Sequence, residues 1–467
     1  LGRRPDRSQL ISDNSRRPED SVTEHEPADQ RGDARKIVAV AAPLYLSMIA
    51  ASVSALVNTA ALGRFGTVAL AAFALTGAVY FPATAAVTGA VRGVMPFVSA
   101  SADDRDSVIK VVRDGTWLAV TIGLLGAAAV SGAGLLARSS GVPDETIAEL
   151  GYFPLLMAGS VLLGSIGAMA SSSLVGLGHS KIVMRAGLVA AACTAVLSLL
   201  LVNGIGPLPA LGLVGSGVAM LVANLATCVM TVLGLCAKLD IPLSGLAVAR
   251  LHPARVLELA KVGIPMAGTV LVKFGVLGVL AFAAARISTT AAAAHSIATA
   301  LVGLTFTAAV AIGQAGIPLV SSRAATADIP GVRRSVRAGL LVAATVVGTL
   351  CALLVVLRPV FLPLFTVDPD VRAVMVGLLP VVALAILGDG LQAVLGFGLT
   401  GLKRTVPSFL VFSVLYGVLA VIALPVASAT GIIGLWTALV VINVLVGIGQ
   451  GTAFLRVSGG LRKPAPV

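Results

Sequence analysis

The chain of 467 residues predicts an all-α, polytopic membrane protein with twelve transmembrane helices in two six-helix lobes related by a parallel repeat. Three observations predict this fold class. The composition is 57% hydrophobic and only 12% charged, with a mean hydropathy of +1.00, against about 25% charged for an ordinary soluble domain. Apolar stretches of membrane-crossing length recur along the chain, and the second half repeats landmarks of the first. A soluble protein of this length could not bury so much apolar surface. Disordered, collagen-like and disulfide-scaffold classes are excluded as well. The 51 glycines suit helices that pack closely in lipid, where small residues let backbones approach. Cys193, Cys228, Cys236 and Cys351 all lie in apolar stretches without metal-ligand spacing, so they are expected to be isolated buried thiols. Nothing in the composition points to nucleic acid, and no cofactor is expected.

Residues 1–36 carry eight Lys/Arg and eight Asp/Glu and show no apolar periodicity, which predicts a disordered cytoplasmic tail. The tail has no apolar core before a small-residue cleavage site, so it does not read as a signal peptide. A bilayer core takes roughly 20 helical residues. In the N-lobe, residues 37–237, spans are placed near 37–61, 69–98, 115–137, 148–176, 183–204 and 211–237. A cytoplasmic connector follows at 238–261; it holds four Lys/Arg and a segment, Ala247-Val-Ala-Arg-Leu-His-Pro, suited to lie on the inner surface. The C-lobe, residues 262–456, takes spans near 262–284, 289–321, 338–357, 373–401, 405–428 and 431–455, with a tail at 457–467. Gly, Pro and charged residues punctuate these stretches. Pro43, Pro82, Pro96, Pro154, Pro265 and Pro318 fall in or near spans and are candidate kinks.

The net charge of +12 comes entirely from beyond the tail. With the N-terminus inside, inner loops and the C-terminus collect about 18 Lys/Arg. The outer loops collect five, namely Arg64, Arg138, Arg286, Arg358 and Arg372. That asymmetry predicts cytoplasmic termini and a multi-pass protein of the cell (inner or plasma) membrane. The repeat is visible at a shift of 222, which places Pro43 on Pro265, Arg64 on Arg286 and Ala69–Ala72 on Ala291–Ala294. Six spans per half is an even number, so both halves enter the membrane in the same sense. A binding site is then expected between them. Duplicated six-helix bundles favour a transporter over a receptor or an intramembrane enzyme.

Specific residues resemble one family. Asn58-Thr-Ala-Ala-Leu-Gly-Arg-Phe-Gly-Thr-Val-Ala-Leu-Ala-Ala looks like the end of helix one in the MATE (multidrug and toxic compound extrusion) family. Ser171-Ser-Ser-Leu-Val-Gly-Leu-Gly-His-Ser-Lys resembles its helix 4–5 junction, and Gly206-Pro-Leu-Pro-Ala-Leu-Gly-Leu-Val-Gly its helix 5–6 turn. Ala294-His-Ser-Ile and Ile312-Gly-Gln-Ala look like helix eight; Asp389-Gly-Leu-Gln and Thr400-Gly-Leu-Lys look like helix ten and its exit. The short helix 5–6 turn suggests the DinF-like branch. The resemblance implies a secondary exporter of amphiphilic drugs, toxins or secondary metabolites, its two lobes rocking around a central cavity by alternating access, with inward H⁺ or Na⁺ flow as the driving force. It also exposes departures. Asn58 stands where the family has an Asp, and Thr194 and Ser198 stand where DinF-like members have an Asn and an Asp. The N-lobe site is therefore electrically neutral, with Asn58, Thr194, Ser198 and Ser216 as dipoles only. In the C-lobe, Lys273 aligns with the Glu of Na⁺-coupled members, whereas Asp389 is kept.

Lys273 and Asp389 are the candidate proton-coupling pair. A charged side chain at a helix centre costs about 2.5–3.5 kcal/mol on insertion scales, so each needs a partner or water. Lys273 could alternatively snorkel to the bilayer surface, but the carboxylate of Asp389 is too short to reach it. If the two meet, they titrate as a unit and exchange one proton per cycle. A fixed positive charge discourages Na⁺ and cationic drugs, which predicts H⁺ antiport and tolerance for neutral, zwitterionic or acidic cargo. Arg92, Gln314 and Gln392 are further candidates for the central cavity, with helix–helix hydrogen bonding as the alternative for the glutamines. His295 is a candidate pH-sensitive group or a structural one, and Asn224 and Asn443 read as interhelical glue. The expected partners are small-molecule cargo and the lipid bilayer, and the chain is expected to be a monomer. Two other functions compete: a flippase for lipid-linked precursors, kept open by Lys273 and Arg92, and a membrane-embedded enzyme. The enzyme lacks paired acids, His clusters or a Ser/His arrangement in the spans.

Overall fold

In the computed structural model, residues 26–204, 209–247 and 252–461 are described, all in helices and short connections. The N-lobe contains α1 (Glu26–Phe65), α2 (Thr67–Val91), α3 (Arg105–Ser131), α4 (Phe153–Gly176), α5 (Ser180–Asn203) and α6 (Gly212–Leu239). The C-lobe contains α7 (Pro253–Ile287), α8 (Thr289–Ala325), α9 (Ile329–Val356), α10 (Pro369–Gly401) and a continuous helical stretch, Val406–Gly459. Eleven helices among the described residues are long and apolar enough to cross a membrane. The last has 54 residues, or about 80 Å at 1.5 Å per residue, far more than a 30 Å bilayer core takes. It is broken at Gly431, whose φ of 66° and ψ of −161° leave the helical region. That positive φ suits glycine, which has no Cβ to clash. The break divides the stretch into α11 (406–430) and α12 (432–459), which completes the twelve spans.

The helices overrun the hydropathy-defined spans because polar residues continue a helix beyond the bilayer at no desolvation cost. Several start at a side-chain cap that satisfies exposed backbone amides. Asp104 accepts from the amide of Asp106 ahead of α3, Ser288 from Ala291 ahead of α8, Asp328 from Gly331 ahead of α9, and Asp368 from Asp370 ahead of α10. The span expected from residue 148 instead starts at Phe153, because Gly151 takes a φ of 42° and closes off a separate short helix, Asp144–Leu150. The connector expected at 238–261 contracts, since α7 begins at Pro253; most of its surface segment falls at 248–251, outside the described residues.

One expectation is corrected at the N-terminus. Residues 26–36, expected to belong to a disordered tail, are the first turns of α1. Asp33 and Ile37, four residues apart and so on one helix face, are 1% and 0% exposed. That face packs against the C-lobe, which supplies both apolar contacts and arginines. Residues 1–25 lie outside the described residues.

The buried clusters show how the lobes are joined. Leu62, Phe73, Phe153, Met157 and Leu213 form a core wholly within the N-lobe. Leu280, Met375, Phe412, Tyr416 and Trp436 belong to one wholly within the C-lobe. At the end that carries both termini the lobes share a core, in which Ile37, Leu44, Met95 and Val175 pack with Ile312, Ile317 and Val394. Backbones of the two lobes approach closely at α7: a Cβ on Gly263 would meet the Ala90 carbonyl of α2, and one on Gly93, in the turn that follows α2, would lie 2.7 Å from the amide nitrogen of Gly263. The lobes are therefore packed together at the terminus-bearing end and have separate cores towards the other.

Candidate functional site

Two adjoining cavities lie around the lobe interface. Met48 of α1 and Thr88 of α2 line both.

The first cavity, of about 530 Å³, is walled by α1 and α2 from the N-lobe and by α7, α8, α10, α11 and α12 from the C-lobe. Its floor of Met266, Phe274, Phe306, Phe397 and Phe412 is apolar, and Arg92, Lys273, Gln392 and Gln450 supply the polar groups. Lys273 on α7 donates from Nζ to both carboxylate oxygens of Asp389 on α10, at 2.9 and 2.7 Å. Asp389 is 3% exposed. Gln392, one helical turn along α10, donates from Nε2 to the same carboxylate at 2.9 Å. The Lys273 ammonium also lies 3.5 Å from the centroid of the Phe306 ring, where the π-face attracts a cation. The pair predicted from two lone charges in apolar runs is thus assembled in one place, with its amine turned to the cavity.

Arg92 sits in a single 3₁₀ turn, Arg92–Val94, that interrupts the helix between α2 and its continuation Met95–Ala100. Its guanidinium lines the first cavity, and no ion pair or side-chain hydrogen bond joins it to another described residue.

The second cavity, of about 470 Å³, belongs to the N-lobe and is lined by Asn58, Thr194, Ser54 and Asn224 with Phe73, Phe81 and Met220. Asn58 Oδ1 accepts from the hydroxyls of Ser198 at 2.7 Å and Ser216 at 2.9 Å, tying α1, α5 and α6 together. Both serines are fully buried behind Asn58 and line neither cavity. Thr194 and Asn58 face the cavity directly. Gln314 is buried on α8 and lines neither cavity, whereas Gln392 lines the first.

Asn443 acts between helices: it accepts from the Tyr416 hydroxyl at 2.8 Å and donates to the Ala385 carbonyl at 3.1 Å. His295 is buried with its ring 5.6 Å from that of Trp436, and its Nδ1 has no hydrogen-bond partner among the described residues. Two features were not singled out from the sequence. Gln450, whose Nε2 donates to Ser408 at 2.9 Å, lines the first cavity; an isolated glutamine in an apolar span was the available signal. Asp33 left no such signal, because it lies in a run rich in charges.

The MatE family profile matches residues 43–201 and 265–426, one segment in each lobe. A protein named "Probable multidrug resistance protein NorM" from Aromatoleum aromaticum is 28% identical over 375 residues, 79% of each chain. Another of that name, from Chromobacterium violaceum, is 25% identical over 441 residues, covering 90% of this chain and 93% of its own. Among solved structures, a MOP superfamily transporter from Pyrococcus furiosus superposes with a TM-score of 0.82 at 17% identity, covering 92% of this chain and 97% of its own. An outward-facing multidrug resistance MATE family transporter of the same superfamily gives 0.82 at 16% identity, with the same coverage. Similarity of fold at such low identity carries the helix arrangement, not the site chemistry.

Proposed function

The chain belongs to the MATE family of multidrug efflux transporters, and from that premise we propose that it is a secondary active exporter of small amphiphilic compounds, driven by inward proton flow through alternating access. The observation that carries the proposal is the buried Asp389–Lys273 pair on the wall of an apolar cavity between the lobes. Protonation of Asp389 removes the counter-ion of Lys273. The ammonium is then left over Phe306, in space that apolar cargo would otherwise fill, so proton and cargo compete for one cavity. Competition of this kind is what an antiporter requires, since each ligand must leave before the other is carried.

Arg92 and Lys273 against Asp389 give the first cavity one surplus positive charge. Like charges repel strongly where water is scarce, which disfavours Na⁺ and simple organic cations as occupants. The Asn58 site in the N-lobe adds dipoles but no charge, so proton coupling rests on the C-lobe. The excess of Lys/Arg in alternate loops supports cytoplasmic termini in the cell membrane.

Purified protein in proteoliposomes tests the proposal. A fluorescent amphiphile should accumulate against its gradient when a pH gradient is imposed at clamped potential, and should not respond to Na⁺. Accumulation that follows a Na⁺ gradient at clamped pH would refute the proton assignment. Movement of a lipid-linked precursor across the bilayer, with no response of the amphiphile to either gradient, would favour the flippase.

A further inference from the structure

At the terminus-bearing end the lobes are joined by two contacts between an acidic and a basic side chain. In the first, Asp33 of α1 receives two hydrogen bonds from Arg323 at the end of α8, at 2.6 and 2.7 Å. Arg334 of α9 approaches the same carboxylate at 3.6 Å. The carboxylate side chain is 1% exposed. Arg323 is held from its own lobe by the Gly331 carbonyl, at 2.9 Å, and by the Ser335 hydroxyl. An N-lobe acid thus docks onto an arginine that the C-lobe has already positioned. In the second contact, Asp114 of α3 lies 3.7 Å from Nδ1 of His252, at the head of α7. Burial pushes the Asp114 carboxyl above its ordinary range, and the basic residues His252 and Arg255 partly offset that rise. Asp114 is also buried, its side chain 5% exposed.

The two contacts are related by the internal repeat. The shift of 222 that places Pro43 on Pro265 also carries Asp33 onto Arg255, and α3 and α9 are the third helix of each lobe. The contact of α1 with α9 and that of α7 with α3 therefore occupy equivalent places, with acid and base exchanged. In one the acid is on the first helix and Arg334 on the third, with Arg323 of the second helix added as the hydrogen-bonded base; in the other the acid is on the third helix and the basic residues are at the head of the first. Both bridge the lobes. A cation–π contact at the same end, Lys403 of the C-lobe 4.3 Å from the Phe97 ring of the N-lobe, adds a third bridge.

We propose that the two acid–base contacts form a repeat-related polar latch on the terminus-bearing gate, and that both must open each time the cavity opens at that end; this rests on the alternating-access reading. Opening separates each acid from its base and admits water to both. With Asp33 neutralised, the two buried hydrogen bonds from Arg323 lose their charged acceptor, and wetting would restore solvation to the guanidinium. The gate should then favour its open form. The Asp33 contact, doubly hydrogen-bonded and dry, should dominate the Asp114 contact, whose histidine is 56% exposed.

The test uses the full chain in lipid nanodiscs, with the native cysteines replaced by Ala and spin labels attached through Lys181→Cys and Arg404→Cys, exposed positions on opposite lobes at this end. Electron–electron distance measurements should show a dominant short separation in the otherwise unsubstituted protein. Asp33→Asn should raise the ratio of long to short separations by about tenfold or more, in line with the loss of one partner from a buried pair. Asp114→Asn should shift it in the same direction but less, and it stands as the fallback if Asp33→Asn does not fold. Two populations whose ratio neither folded variant moves would overturn the latch alone. A single population in every variant, with transport intact, would overturn alternating access and the latch with it.

Discussion

Replacing Asp389 with Asn keeps the shape of the side chain and removes the charge that Lys273 grips through two contacts, at 2.9 and 2.7 Å. Removing one partner of a buried ion pair costs about 3–5 kcal/mol. Lys273 retains 18% exposure towards the cavity, so water offsets part of the loss and the cost should sit near the lower end, about 3 kcal/mol. The protein should still fold, with a lower melting temperature that Lys273→Ala in the same chain largely restores. The functional effect should be larger. One proton moving inward through ~150 mV releases roughly 3.5 kcal/mol, enough to hold neutral cargo at a gradient of about 300-fold. Without a group that binds the proton, none of this work reaches the cargo. In proteoliposomes Asp389→Asn should therefore lower steady-state accumulation to about unity, while exchange of labelled for unlabelled cargo at zero gradient continues. If Asp389→Asn reaches the unsubstituted protein's accumulation under the same pH gradient, the carboxylate is structural and the coupling argument fails.

Three further outcomes can be checked. Asn58→Asp would place a carboxylate where two hydroxyls already donate, at 2.7 and 2.9 Å, and should add a titrating group that moves the pH profile of transport; an unchanged profile in an active variant would place this region outside the coupling path. Gly263→Ala would drive a methyl group into the Ala90 carbonyl on the facing helix, so it should prevent closure at the terminus-bearing end and cut transport at least tenfold, whereas Gly278→Ala, which has nothing within 4 Å, should transport normally. Cysteines replacing Arg138 or Arg358 should react with an impermeant thiol reagent from outside in a cysteine-free background, and one replacing Lys403 should not; the opposite pattern would invert the proposed orientation.

The sequence by itself determined the twelve spans, because a bilayer imposes a local criterion: enough consecutive apolar residues to cross it. It also determined the duplication, through landmarks such as Pro43 and Pro265 at a constant shift. Asp389 and Lys273 stood out by the same logic, since a charge inside an apolar run has few solutions other than pairing. The direction in which most polar side chains point was left to the tertiary structure. Spans that are apolar all round carry no amphipathic stripe to fix their rotation, so the packing of neighbouring helices turned Gln392 into the cavity and Gln314 away from it, and set Ser198 and Ser216 behind Asn58. The tertiary structure likewise decided the fate of Asp33. In sequence it is one of many charges in a polar tail. Its burial depends on Arg323, 290 residues away, and on the C-lobe closing over it, because a dry carboxylate is tolerable only where its counter-ion is already in place.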